Sequence, residues 1–180
     1  MTRLIVGFTG QIGAGKSEAA KELHRIGFTR VRFAGPLKAM MASLGLTEDE
    51  IDGKLKEAPC ELLCGKTPRF AMQTIGTEWG RDMIGSELWV NAWKRSVSQV
   101  PAFIPVVVDD VRFPNEATAI RELGGVLVRV ERSGPAASKH ASKHASEQMN
   151  FDADFVIKND VSLDAFREEV RAIVQLKRAA

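Results

Sequence analysis

Gly10-Gln11-Ile12-Gly13-Ala14-Gly15-Lys16-Ser17 satisfies G-x-x-x-x-G-K-[ST] at every fixed position. Three glycines let a backbone turn tightly and approach an anion with no Cβ in the way. Lys16 supplies a cation suited to β- and γ-phosphates, and the Ser17 hydroxyl is an oxygen donor of the kind Mg²⁺ takes. This chemistry needs a strand before the loop and a helix N-terminus after it, where backbone N–H groups and the helix dipole favour negative charge. Both flanks comply. Residues 4–9 are apolar and β-prone, while Ala19, Ala20, Leu23 and Ile26 recur at helical spacing against polar Glu18, Lys21, Glu22 and Arg25. Residues 10–17 therefore imply a bound nucleoside triphosphate.

A second candidate is Asp109-Asp110, which closes the apolar run Phe103-Ile104-Pro105-Val106-Val107-Val108. An apolar strand ending in acid is the Walker-B arrangement, whose carboxylate holds Mg²⁺ directly or through water. Either aspartate qualifies. In extended chain the two point to opposite faces, so one alone looks at the phosphates. Arg69, Arg81, Arg112 and Arg132 are candidate phosphate ligands, because phosphoryl transfer rests on positioning and charge neutralisation. Each arginine taken singly also suits a solvated surface. Of the histidines, His24 reads as surface, and His140 and His144 fall in a polar stretch over 132–150. That stretch suits a lid that excludes water during transfer, and equally an unstructured loop. Metal binding by His140 and His144 would need a helix and a third ligand.

Several elements must hold these residues. Gly27 suits the end of the first helix, residues 28–33 alternate as a second strand, and Pro36 opens a helix running to about Leu44 that carries Lys38. Thr47-Glu48-Asp49-Glu50 is a capping box, and residues 57–66 are irregular. Thr67-Pro68 starts a helix to about Ile84, in which Met72, Ile75, Trp79 and Met83 form a stripe expected to face the core. Arg69, Gln73, Gly76 and Gly80 form a neighbouring stripe, bordered by Thr77 and Arg81. Two glycines inside a helix cost roughly 1 kcal/mol each against alanine, which implies close approach by a planar ligand or by another helix. Ser86 caps a helix containing Leu88, Trp89, Trp93 and Val97, and a further helix opens at residues 113–116 and ends at Gly124-Gly125. Strands at 103–108, 126–130 and 155–157 and a last helix from Leu163 to about Leu176, capped by Ser162, complete the chain. Strands alternating with helices predict an α/β fold: a five-stranded parallel sheet flanked by helices.

The 180 residues suit a single domain over 1–180. A net charge of +2 gives no reason to expect nucleic acid held by bulk electrostatics. Cys60 and Cys64 complete no zinc site and suggest no disulfide framework, so reduced thiols in a cytoplasmic compartment are expected. The N-terminal apolar run is too short for a secretory signal, and no stretch approaches a membrane span. Trp79, Trp89 and Trp93 suit either a core or an interface, which leaves a homodimer open.

Three further runs carry a resemblance: Cys64-Gly65-Lys66-Thr67-Pro68-Arg69, Met72-Gln73-Thr74-Ile75-Gly76-Thr77-Glu78-Trp79-Gly80-Arg81, and Asp110-Val111-Arg112-Phe113-Pro114-Asn115-Glu116. Together with His144-Ala145-Ser146-Glu147 and Ile157-Lys158-Asn159-Asp160, they resemble bacteriophage and prophage deoxynucleoside monophosphate kinases. The resemblance implies a P-loop nucleoside-monophosphate-kinase fold, ATP and Mg²⁺ as cofactors, and γ-phosphoryl transfer to a deoxynucleoside 5′-monophosphate. It also implies a helical acceptor-binding insertion over about 36–100 and, for a phage-encoded chain, the host cytoplasm. In that frame Lys16, Asp110, Arg112 and Arg132 are catalytic, and Ser17 and Asp110 hold the metal. Lys38, Arg69, Gln73, Gly76, Trp79, Arg81 and Arg112 meet the acceptor. The tandem Ser138-Lys139-His140-Ala141, Ser142-Lys143-His144-Ala145 departs from the family. The opening also resembles dephospho-coenzyme A kinase, in which an aspartate at the strand end would act as base. A P-loop switch is the other alternative, but the guanine-reading Asn-Lys-x-Asp run is missing from Lys158-Asn159-Asp160.

Overall fold

The computed structural model describes residues 3–133 and 151–179. The tandem repeat, both of its histidines and nearly all of the expected lid lie outside the described residues. Five parallel strands form one sheet: β1 (Ile5–Thr9), β2 (Thr29–Arg30), β3 (Val106–Val108), β4 (Val126–Glu131) and β5 (Phe155–Lys158), in the order β2-β3-β1-β4-β5. Register runs Ile5 to Val106 and Gly7 to Val108 on one side of β1, and Val6 to Val126 and Thr9 to Arg129 on the other. Strand order reverses around β1, so the crevice at its carboxyl end is where an open α/β sheet binds ligands. Helices α1 (Lys16–Arg25) and α6 (Pro114–Glu122) follow β1 and β3, and α7 (Leu163–Ala179) follows β5 as the last element.

β1 and β3 are buried along their whole length, as expected of inner parallel strands with helices on both faces. Val6 and Phe8 of β1 and Val107 of β3 pack with Ala19, Ala20 and Leu23 of α1 and with Phe166, Val170 and Val174 of α7. Each such fully buried side chain contributes about 1.5–3 kcal/mol. Met1–Arg32 with Ser96–Ala180 makes one compact unit, and Phe33–Arg95 makes a second.

The second unit is helical: α2 (Gly35–Ser43), α3 (Glu48–Ile51), α4 (Pro68–Thr74), a π-helix over Ile75–Ile84, and the start of α5 (Leu88–Gln99). Its core gathers Leu37, Met41, Leu46, Ile51, Met72 and Trp89. The Thr47 capping box forms as expected, with the Thr47 N–H donating to Glu50 Oε2 at 2.7 Å. Trp93 is fully buried, its ring 4.6 Å from that of Phe33. Trp89 and Trp93 are therefore core residues, and neither offers a reason for a dimer.

Three boundaries differ from expectation. The second strand spans Thr29–Arg30 in place of 28–33, because β2 is the sheet edge and pairs with β3 alone. The strand expected over 103–108 begins at Val106. Pro105 has no N–H for a ladder, and Ile104 donates to the Pro101 carbonyl in a turn that leaves Phe103 86% exposed. The stripe Met72, Ile75, Trp79, Met83 does not hold as a core face. Met72 is buried, but Trp79 is 38% and Met83 75% exposed. The Gly85 N–H bonds to the Gly80 carbonyl five residues back, and this wider register rotates positions 79 and 83 away from an α-helical stripe. Among the described residues, no helix is long and apolar enough to cross a membrane.

Candidate functional site

Residues 10–17 run from the end of β1 into α1, with Gly10, Gly13 and Gly15 at positive φ. Lys16 folds back over its own loop, its ammonium donating to the carbonyls of Gly10 at 2.6 Å and Gln11 at 2.8 Å. Gln11, Ile12 and Gly13 are exposed, Ala14 is buried, and Ser17 is exposed on the first turn of α1. The loop thus opens outward at the positive end of a ten-residue helix.

Beside it, β3 ends in the two aspartates. Asp109 is buried and its carboxylate is forked by Arg30, with Nε donating to Oδ1 at 2.9 Å and Nη2 to Oδ2. Asp110 is half-buried. The Val111 N–H bonds to the Phe8 carbonyl at 3.3 Å, which keeps this turn alongside the end of β1. Glu116, almost wholly buried, accepts the N–H groups of Arg112 at 2.8 Å and Phe113 at 3.1 Å, fixing the turn from β3 into α6. Arg112 and Arg132 are both exposed, at the ends of β3 and β4. Thus Lys16, Ser17, Asp110, Arg112 and Arg132 all belong to the sheet unit and to the carboxyl ends of its strands.

The remaining expected residues lie in the helical unit. Lys38 pairs with Asp52, and Arg69 with Glu57. Gln73 is exposed at the end of α4. Arg81 donates to the Ser86 carbonyl at 3.2 Å. Gly76 stays half-buried, while at Gly80 the glycine face is filled. Trp89 of α5 fills it: its indole N–H donates to the Gly76 carbonyl at 2.8 Å, and a Cβ on Gly80 would stand 2.7 Å from the indole nitrogen. Of the two readings of these glycines, close approach by another helix is what occurs at Gly80. Trp79 tilts toward Trp89, ring centroids 6.3 Å apart, and keeps an exposed edge.

With this geometry in view, the comparisons with known proteins can be placed. The family model for deoxynucleotide monophosphate kinase matches residues 66–170. A protein of Acanthamoeba polyphaga mimivirus, provisionally described as a deoxynucleotide monophosphate kinase, is 33% identical, covering 95% of this chain and 96% of its own. The chain belongs to the deoxynucleotide monophosphate kinase family. The deoxynucleoside-5′-monophosphate kinase of Escherichia phage T5 is 36% identical over 56 residues, which is 31% of this chain and 22% of that protein. Among solved structures, the Mycobacterium tuberculosis APS kinase CysC in complex with AMPPNP and APS superposes with a TM-score of 0.56 at 12% identity, over 97% of this chain and 98% of that one. At that identity the likeness shows the fold alone, a P-loop kinase sheet.

Membership of this kinase family gives the chain a nucleotide-phosphorylating activity. It also throws into relief what the sequence reading did not single out. Arg30 lies in the second strand, whose alternation gave it no role, yet it pairs with Asp109 from 79 residues away. Asn159, placed just after β5, donates its side-chain amide to the Ala14 carbonyl of the loop at 2.8 Å. Trp89 appeared only as one apolar position among four. No local pattern marks any of these partners, since each is defined by what lies across the fold.

Proposed function

We propose that the protein transfers the γ-phosphoryl group of ATP to the 5′-phosphate of a deoxynucleoside monophosphate, releasing the diphosphate and ADP. Residues 10–17 hold the triphosphate with loop amides, and the Lys16 ammonium exchanges its loop carbonyls for the β- and γ-phosphates. Ser17 and Asp110 fit as the protein's donors to Mg²⁺: the one is exposed, the other half-buried, and both are oxygen ligands. Among the described residues no group of three His, Cys, Asp or Glu side chains offers a dedicated metal cage. That suits an ion that keeps several waters and takes further ligands from phosphate. When bound, it supplies charge neutralisation at the β- and γ-oxygens. Arg112 and Arg132 add mobile positive charge for the transferred group.

The observation that carries this reading is the Arg30 fork on Asp109. A hydroxyl acceptor needs a carboxylate base within reach; Asp109 is forked by Arg30 and Asp110 is assigned here to the metal, so this reading leaves neither strand-end aspartate to act as that base. A nucleotide 5′-phosphate needs no such base. Its second pKa is about 6, so it presents an anionic oxygen at neutral pH, and only cations are required to bring two anions together. This favours a monophosphate over dephospho-coenzyme A or a sugar.

Acceptor binding we assign to the helical unit, through Arg69, Gln73 and Arg81. The Arg69–Glu57 pair has side chains 40% and 61% exposed, and such pairs contribute at most about 1 kcal/mol. A phosphate displaces Glu57 at small cost. The Lys38–Asp52 pair is less exposed, at 16% and 26%, so Lys38 is the weaker candidate for a direct ligand.

The test is a coupled ADP-release assay with ATP, Mg²⁺ and a panel of deoxynucleoside monophosphates, ribonucleoside monophosphates and dephospho-coenzyme A. ADP production is expected with at least one deoxynucleotide and to vanish in Lys16→Ala protein that keeps its thermal transition. ADP release with dephospho-coenzyme A alone would overturn the assignment.

A further inference from the structure

We infer that Asn159 is a positioning residue for ATP: its side-chain amide sets the orientation of the Ala14–Gly15 peptide in the phosphate loop. This rests on the reading of residues 10–17 as the ATP loop and adds to it a residue from the far end of the chain. Nδ2 of Asn159 donates to the Ala14 carbonyl at 2.8 Å, across 145 residues of sequence. In a trans peptide the C=O and the following N–H point in opposite directions. Holding the Ala14 oxygen against Asn159 therefore turns the Gly15 N–H the other way, out of the brace and available as a donor. A free Ala14–Gly15 peptide could rotate, and its carbonyl would then meet the phosphates with like charge.

Three further observations say that the brace is built in. The Asn159 backbone N–H donates to the Glu131 carbonyl at 2.7 Å, which anchors the residue to the end of β4. Its neighbour Asp160 accepts from the Ser133 N–H and hydroxyl, both at 2.7 Å, pinning the same turn from the other side. Gly15, at φ +112°, brings the loop so close that a Cβ there would run into Asn159 Nδ2. The glycine at the second fixed position of the motif is thus required by the Asn159 amide as well as by phosphate. The loop peptide is held in its binding geometry before nucleotide arrives, so the cost of ordering it is met during folding.

The experiment measures ATP and ADP dissociation constants by titration, with steady-state KM for ATP and for the acceptor, in wild-type protein and three variants. Asn159→Ala removes the donor and is expected to weaken both nucleotides about tenfold, the effect of one lost hydrogen bond at a preorganised site. Asn159→Asp is isosteric but faces the Ala14 carbonyl with a carboxylate, and is expected to weaken them further. In both, acceptor KM and the thermal midpoint stay near the wild-type values. Asp160→Ala cuts the ties to Ser133 while leaving the Asn159 amide in place, and is expected to weaken nucleotide affinity clearly less than Asn159→Ala does. Unchanged affinity in Asn159→Ala and Asn159→Asp would overturn the brace. So would equal losses in Asp160→Ala, or donor and acceptor KM rising together with a lowered midpoint. Wild-type protein that binds neither ATP nor ADP would instead overturn the loop reading beneath it.

Discussion

Asp109 and Asp110 are adjacent and identical in chemistry, yet the turn after β3 places them in different surroundings. Asp109 meets a guanidinium inside the sheet unit, while Asp110 keeps access to solvent. Their substitutions should therefore separate stability from turnover. Asp109→Asn leaves Arg30 without its counter-charge and should cost about 1–3 kcal/mol of stability, with turnover largely kept at 25 °C. For a chain of this size that is a fall in midpoint of roughly 2–4 °C per kcal/mol. Asp110→Asn should leave the midpoint within a degree or two and lower kcat by about 10² or more, with a raised Mg²⁺ requirement. Thermal melts and magnesium titrations on the two variants decide the matter; the reverse pattern would exchange the two roles.

Of the residues in the proposed acceptor site, the π-helix carries Arg81. Ten residues of π-helix are energetically unfavourable, and such segments persist at sites where function compensates. Gly80 makes the register feasible here, since a Cβ would stand 2.8 Å from the Ile75 carbonyl and 2.7 Å from the Trp89 indole nitrogen. Gly80→Ala is accordingly expected to destabilise the protein despite alanine's better helix propensity, by about 1–3 kcal/mol from overpacking. Trp89→Phe is the finer probe. It keeps an aromatic ring against Gly80 but removes the N–H bond to Gly76. With Arg81 on this stretch and Gln73 on α4 just before it, the acceptor KM should rise several-fold and the ATP KM should stay put. A parallel rise in both would argue that the π-helix serves the fold and not the acceptor.

At the scale of the whole molecule, a charged seam joins the helix that follows the phosphate loop to the last helix of the chain. Glu22 of α1, almost fully buried, accepts from Arg25 at 3.0 Å and from Arg171 of α7, with Arg167 3.7 Å away. Arg167 also donates to Glu18 at 2.6 Å. Burial alone would push the Glu22 carboxyl up, but the hydrogen bonds from Arg25 and Arg171 outweigh it and hold the group below its ordinary range. A carboxyl lowered in the folded state stabilises the protein above its unfolded pKa, roughly 4.3. That contribution is lost as pH falls through the lower, folded value. The thermal midpoint should therefore drop as pH is taken below about 5. Glu22→Gln should show a lower midpoint at neutral pH and a shallower acid limb. An acid limb of unchanged slope in that variant would remove Glu22 from the account.

Sequence alone determined the phosphate loop, the parallel α/β sheet, the Thr47 capping box and the kinase family. These are carried by short-range spacing: eight contiguous residues at a strand–helix junction, alternation along strands, and cap residues next to the helices they start. Tertiary structure decided which aspartate is committed to an ion pair, what fills the glycine face at Gly80, and what holds the Ala14 carbonyl. Those answers come from Arg30, Trp89 and Asn159, whose partners no local pattern specifies even where, as with Asn159, the residue falls in a run that resembles the family. Arg30 and Asp109 are 79 positions apart and Asn159 and Ala14 are 145 apart, so only the folded chain makes them neighbours. The π register was equally hidden, because α- and π-helices draw on the same residues, and close packing by Trp89 together with a glycine at position 80 accompanies the wider turn.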